Sequence, residues 1–317
     1  MSVIALDLGG TKLAYALFAS DGTLLHRGSS PLPSERGEAV GVLMVDTVRA
    51  LMKRQPPTDP ITGVGVGVPG IYRSRSRTVW APNIPGWEDY PLWETLRDVD
   101  SAIEIIIDSD RACCIMGEVW QGAAQGCRDA IFITVGTGIG AGILVEGRVL
   151  RGAADISGAI GWMALDRPYR KDYDPCGCFE HYASGDGIAK TARSLLSANP
   201  GYGGALGALP LEELTAHHVF AAYQRGDPMA KQALGHAIQL WGMATANLVS
   251  IFNPEKVIFG GGVFGPAAVL LERIRAEATQ WAQPISMQQV QLDVAALGTD
   301  AGLYGAAYLV FNAGKNT

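Results

Sequence analysis

The sequence predicts an α/β protein made of two related domains, and three observations carry that reading. Apolar runs of strand length alternate with longer stretches of helical spacing. A strand–glycine turn–strand pattern at the start of the chain recurs in its middle. The length of 317 residues, with 48% hydrophobic and 18% charged, is enough for two domains of ordinary size with buried cores.

Taken in order, "VIALDLG" reads as a strand, "GTK" as a turn and "LAYALFA" as a second strand. Asp21-Gly22 then signals a hairpin. A helix is expected from Gly37 to Arg54, with Val42, Val45, Val48 and Leu51 at near-helical spacing, closed by "PPTDP". "ITGVGVGVPG" is a strand entering a loop, and "SAIEIIIDSD" a buried strand ending in acids, with a helix from about Arg111. The opening pattern returns in "AIFITVGTGIGAGILVEGRVL". There Val135-Gly136-Thr137-Gly138 stands for Leu8-Gly9-Gly10-Thr11, and Glu146-Gly147 for Asp21-Gly22. An irregular segment is expected to about Asp186, then helices to Phe252. "EKVIFGGGVFG" is a strand into a glycine loop, "PAAVLLERIRAEATQW" a helix and "VQLDVAAL" a strand. "TDAGLYGAAYLVF" closes the chain as a helix capped by Thr299 or Asp300.

A net charge of -6 argues against nucleic acid or an anionic membrane as partner. "MSVIALDLGG" carries no signal-peptide pattern, and no apolar run is long enough to span a bilayer. The five cysteines are odd in number and clustered, which points to reduced thiols and a cytoplasmic location.

The glycine turns suggest phosphate. Gly9 and Gly10 lack Cβ atoms, so backbone N–H groups can approach a polyphosphate. Thr11 adds a hydroxyl, Lys12 a cation, and Asp7 a carboxylate for Mg²⁺, directly or through water. Gly136, Thr137 and Gly138 offer a matching surface in the second domain, making a phosphate clamp in a cleft. A third loop holds Gly260, Gly261 and Gly262. With Gly265 it matches the dinucleotide pattern G-x-G-x-x-G, which leaves an NAD-dependent oxidoreductase as an alternative. That fingerprint wants a further βαβ unit and an acid downstream, and only one more strand is readable, so an adenosine-contacting loop is preferred. Asp110 ends a buried strand and is placed to take the proton of an acceptor hydroxyl. Equally, Asp108 or Asp110 could simply cap the next helix.

"LDLGGTK", "IDSDRACCIMGE", "VGTGIGAGILVEGRVLRGA", "CFEHYASG" and "VIFGGGV" occur in the order found in ROK sugar kinases, and the resemblance covers nearly the whole chain. It implies an actin-like, hexokinase-like duplicated fold with an ATP cleft between the domains. Those domains would be residues 1–118, completed by the helix at 300–317, and residues 119–299. It also implies phosphorylation of a hexose or hexose derivative with ATP and Mg²⁺, by a homodimer. Asp110 falls on the family's base and Ser109 on its sugar-binding Asn. "APNIPGW" resembles the sugar-side loop and contains Asn83; Glu180 matches a sugar-binding Glu. The family's DNA-binding repressors carry an N-terminal domain, for which the two residues ahead of the first strand leave no room.

The chain departs from the family in "SGAIGWMAL". Ala159 stands at a sugar-binding Glu and Trp162 at a His that binds both sugar and a structural zinc. Of the three zinc cysteines only Cys178 is in register; Cys176 is not. Structural zinc needs four ligands, so no zinc is expected, and packing of Trp162, Phe179 and Tyr182 should hold the loop instead. The favoured expectation is a sugar kinase with an altered acceptor pocket. A catalytically silent sugar- or nucleotide-binding sensor is the alternative, which the retention of Asp7, Lys12 and Asp110 together disfavours.

Overall fold

The computed structural model describes residues 2–54 and 59–313. Two compact units emerge, 1–126 with 149–157 and 300–317, and 127–148 with 158–299. In chain order the first contains β1 (Ser2–Leu8), β2 (Lys12–Phe18), β3 (Leu24–Pro31), α1 (Glu38–Met52), β4 (Ile61–Val68), β5 (Ile71–Arg73), β6 (Thr78–Trp80), α2 (Leu92–Arg97), β7 (Glu104–Ser109) and α3 (Asp110–Gln121). Next come β8 (Ala130–Val135), β9 (Ile139–Val145), β10 (Arg148–Val149), α4 (Cys178–Ala183), α5 (Gly185–Ala198), α6 (Ala216–Gln224) and α7 (Pro228–Phe252). They are followed by β11 (Lys256–Gly260), α8 (Leu271–Trp281), α9 (Pro284–Gln289) and β12 (Gln291–Val294). Finally α10 (Ala301–Ala313) returns to the first unit. The breaker residues 56–58 and the last four residues of the expected closing helix lie outside the described residues.

The break between units differs from the expected one after residue 118. Helix α3 runs on to Gln121, and Glu118 secures the turn after it: its carbonyl accepts from Gly122 and Ala124, its carboxylate from Ala123 at 2.6 Å. Residues 149–157 also belong to the first unit, tied there by Arg151 to Asp108 and by Asp155 to Ser74.

The two sheets share one topology. The first runs β3-β2-β1-β4-β7 and the second β10-β9-β8-β11-β12. In each, the opening hairpin is antiparallel and the third neighbour parallel: β1 with β2 and β4, β8 with β9 and β11. The internal repeat in the sequence is therefore a structural repeat. Parallel neighbours bring their carboxyl ends to one edge, where α/β sheets expose loops for ligands.

The alternation in "ITGVGVGV" has a packing cause. Val64, Val66 and Val68 are buried on one face of β4, while Gly63 and Gly65 face α10. A Cβ at Gly63 would collide with Val310, and one at Gly65 with the carbonyl of Ala306. The glycine face lets α10 lie directly on the sheet. Gly117 and Gly305 allow the same closeness between α3 and α10, since a Cβ at Gly305 would strike the carbonyl of Cys113. Helix α10 is accordingly apolar nearly all round, as a helix covered on both sides must be.

Helix α1 is shorter than expected and turned differently. Its buried stripe is Val40, Met44, Val48 and Leu51, while Val42 is 51% exposed. In the second unit α7 starts at a strong signal: Asp227 accepts from the amides of Met229 and Ala230, with Pro228 in the first turn. Its Trp241 is fully buried and donates from Nε1 to the Ala183 carbonyl at 3.1 Å, which fixes the end of α4. The segment expected to be irregular up to Asp186 in fact contains α4 and the start of α5.

Candidate active site

In the first unit, Asp7 is the last but one residue of β1 and Gly9–Lys12 form the turn into β2, with the Gly9 amide donating to the Lys12 carbonyl at 2.9 Å. Among the described residues no protein acceptor takes the amides of Gly10 and Thr11, and a Cβ on Gly10 would meet nothing within 4 Å. The turn thus presents free N–H groups towards open space, as an anion cradle requires. Asp7, Gly67 and Asp108 form one cross-strand row over β1, β4 and β7. Glycine at 67 and at 302 makes room for the Asp7 carboxylate: a Cβ on Gly302 would lie 2.6 Å from its Oδ2.

Ser109 ends β7 and Asp110 begins α3. The helix cap proves to be neither aspartate: the Ser109 hydroxyl accepts from the Ala112 amide at 3.3 Å. Ser109 therefore has a structural task in its own right. Among the described residues Asp110 Oδ1 takes a hydrogen bond from the adjacent Arg111 amide alone, at 2.8 Å, with the Arg111 Nε 3.9 Å away, and its side chain remains 40% exposed. Burial pushes its carboxyl above the ordinary value, opposed by the Arg111 charge. Asp7 is pushed up to about 7, first by burial and then by the charge of Asp110, with Lys12 pulling it down. Two carboxyls that resist joint ionisation, next to a lysine, are a donor set that a divalent cation would relieve. Asn83 lies exposed in a loop held by Trp87, which is buried, stacks on Tyr90 at 4.2 Å and donates from Nε1 to the Gly37 carbonyl.

Asp108 has a partner that the sequence did not disclose. Arg151 donates to its Oδ2 from Nε at 3.0 Å and from Nη2 at 2.5 Å, while the Ser109 amide bonds Oδ1 at 2.8 Å. Burial still raises the Asp108 carboxyl, against the Arg151 charge. The pair lies 43 residues apart with no local spacing signal, so only the fold joins it.

In the second unit the turn Gly136–Gly138 occupies the matching place but is tighter: the Gly136 amide donates to the Gly138 carbonyl, two residues on, at 2.9 Å, where Gly9 reaches three residues on to Lys12. A Cβ on Gly136 would again meet open space. Glu180 Oε2 accepts from the Ile139 amide at 2.6 Å, against the backbone of Gly138 and Gly161, and burial raises its carboxyl. The third loop lies beside this turn. Gly261 adopts φ 85° with its Cα against the Val135 backbone, and Gly262 faces open space. Gly262 and Gly265 open short 3₁₀ turns, and α8 starts only at Leu271. A dinucleotide fingerprint needs a helix opening on the glycines, so this loop does not meet it.

The expected apolar cluster of Trp162, Phe179 and Tyr182 does not form. Ala159 leads into a 3₁₀ turn at Ile160–Trp162, and Trp162 is 58% exposed, whereas Phe179 is fully buried. The backbone at Gly161 and Trp162 abuts Gly177, so the indole is left outside. The segment is held instead by rings: Tyr173 contacts His181 and Tyr182, and Tyr182 contacts His236. Among the described residues no group of three or more His, Cys, Asp or Glu side chains is placed to hold a metal.

Duplicated five-stranded units with matching glycine turns define a two-domain actin-like protein. The chain belongs to the ROK family, whose model matches residues 3–313. It is 31% identical to a glucokinase of Halalkalibacterium halodurans, over 97% of this chain and 94% of that one. A ROK glucokinase from Streptomyces griseus, solved with glucose and AMPPNP, superposes with a TM-score of 0.78 at 29% identity, covering 98% and 99% of the two chains. A ROK hexokinase from Thermus thermophilus superposes at 0.80 with 31% identity and full coverage of both.

Proposed function

We propose that this protein is a sugar kinase that transfers the terminal phosphoryl group of ATP to a hydroxyl of a hexose or hexose derivative. The carrying observation is the pair Asp7 and Asp110 at the carboxyl edge of the first sheet, beside the Gly9–Lys12 turn. Membership of the ROK family and the glucose- and nucleotide-bound relative support it.

Asp110 is assigned as the general base. Among the described residues its Oδ2 takes no hydrogen bond, its side chain is 40% exposed and its carboxyl is tuned upward by burial, so it can accept the proton of the attacking hydroxyl. The amides of Gly10 and Thr11, with Lys12, bind phosphate oxygens in the first unit; those of Thr137 and Gly138 do so in the second. Asp7 holds Mg²⁺, directly or through water. That ion, when bound, neutralises charge on the phosphates of ATP. The loop Gly260–Gly262 is assigned to the adenosine. Asn83, Ser109, Ala159, Trp162 and Glu180 are assigned to the sugar side, with Glu180 the charged group that grips hydroxyls.

The same reading puts the protein in the cytoplasm as a homodimer. All five cysteines are free thiols, in keeping with a reducing compartment. No helix among the described residues is long and apolar enough to cross a membrane. Exposed Ile251, Trp281 and Ile285, on elements joined by the Gln283 amide to the Ser250 hydroxyl, offer an apolar surface for self-association.

The experiment is ADP release from purified protein with ATP and Mg²⁺ over a panel of hexoses, amino sugars and deoxy sugars. Sugar-dependent ADP release is expected. If no sugar elicits it while sugars still bind, the kinase reading fails and the chain acts as a sensor.

A further inference from the structure

Apart from the residues assigned above, the second unit holds a pocket of about 600 Å³ whose lining includes Arg170, Asp172, His181, Tyr182, Lys190 and Thr191. We propose that this pocket is a second binding site, for a phosphorylated sugar. It goes beyond the phosphoryl-transfer assignment and does not depend on it.

Three observations converge on that ligand. The first is charge. Arg170 and Lys190 contribute two cations against the single carboxylate of Asp172. Arg170 is already bonded to Asp172 at 2.8 Å, while among the described residues Lys190 forms no ion pair. A phosphate matches the excess positive charge.

The second is an orphaned polar atom. His181 is only 6% exposed, and its Nδ1 has no hydrogen-bond partner among the described residues. Buried polar atoms are nearly always satisfied, and an exception calls for a missing partner. A neutral imidazole can donate from Nδ1 or accept there, so an oxygen of a ligand that displaces the groups covering the ring would complete it. Burial lowers the pKa of this histidine, in keeping with the neutral form.

The third is size and lining. A volume of about 600 Å³ is far more than a lone phosphate fills and lies within the range of small-molecule sites. Thr191 adds a hydroxyl and Tyr182 a phenol, already bonded to Tyr173 at 3.0 Å, with a ring that a sugar face can pack against. Two contacts hold the helices that carry most of the lining. Ser184 caps α5 by accepting from Gly187, and Trp241 secures the end of α4. The site thus sits on helices rather than on a free loop, apart from Arg170 and Asp172.

Isothermal titration calorimetry tests the assignment, with glucose 6-phosphate as probe and glucose and inorganic phosphate as separate arms. The natural protein, Lys190→Ala, Arg170→Ala and Lys12→Ala are compared, with thermal melts confirming that each is folded. Lys190 and Arg170 are exposed, so their replacement leaves the core untouched. Saturable binding of glucose 6-phosphate is expected, with one component about 10-fold or more weaker in Lys190→Ala and Arg170→Ala and retained in Lys12→Ala, where any product binding at the phosphoryl-transfer residues is lost. Glucose and inorganic phosphate should each bind at least about 10-fold more weakly than the probe. No saturable binding overturns the proposal. So does binding that Lys12→Ala abolishes and Lys190→Ala leaves intact, which would put the probe at the phosphoryl-transfer residues. Inorganic phosphate binding as tightly as the probe overturns the sugar half. None of these readouts uses turnover, so an inactive kinase does not disturb the result.

Discussion

Asp110 raises the proton affinity of Asp7: burial and that neighbouring charge together push the Asp7 carboxyl from 3.8 to about 7. Between these two values the folded chain holds a proton that the unfolded chain has released. Stability from this group is therefore complete below about pH 4 and is lost as pH rises towards 7. In metal-free protein, denaturant unfolding across that window should show Asp7→Asn flattening the decline, by on the order of a few kcal/mol. An identical slope in both proteins would show that Asp7 titrates normally.

Asp110→Asn should fold and bind sugar, while turnover drops by about 10²–10⁴-fold, the usual contribution of a general base. Steady-state kinetics with the best acceptor check this. Near-normal turnover would remove Asp110 from the base role.

The Arg151–Asp108 pair ties residues 149–157 to the first sheet. Asp108 is buried while Arg151 is half exposed, so the pair is screened on one side only. Arg151→Ala should cost about 1–3 kcal/mol, chiefly by leaving a buried carboxylate without its cation. A double-mutant cycle with Asp108→Asn should give a coupling of at least ~0.5 kcal/mol; additive losses would mean the contact carries no energy.

Purified protein should hold no stoichiometric structural zinc, because Trp162 replaces a ligand and Cys176 is out of register. Elemental analysis after growth without added chelator measures it. About one zinc per chain would contradict the expectation and direct attention to Cys176 and Cys178.

Ala159 and Trp162 should disfavour an ordinary hexose. Losing one hydrogen bond to a charged group weakens binding by roughly 10- to 150-fold. Glucose and N-acetylmannosamine should therefore be poorer acceptors than a sugar lacking a hydroxyl, or bearing an apolar group, on that edge. Ala159→Glu with Trp162→His should improve glucose. A natural protein with an ordinary specificity constant for glucose, unmoved by the double change, would make "SGAIGWMAL" a harmless repacking.

The sequence by itself determined what local pattern can carry. Alternating strand and helix periods specified an α/β chain, and the recurring glycine turn specified its duplication, because both are short-range signals. The turn residues Gly9–Lys12 and Gly136–Gly138 were legible for the same reason: a tight turn needs its glycines adjacent in sequence. Helix ends and faces were less legible. Ser109 rather than an aspartate caps α3, and α1 buries Val40 and Met44 rather than Val42. Those choices depend on the surface against which a helix is laid down. Contacts between distant residues were not legible at all. Arg151 on Asp108, Gly302 against Asp7, Trp162 left in solvent and His181 buried with no partner for Nδ1 among the described residues all result from how elements pack. Burial, which sets the proton affinity of Asp7, is a property of the assembled sheet and helices, and only the tertiary structure decides it.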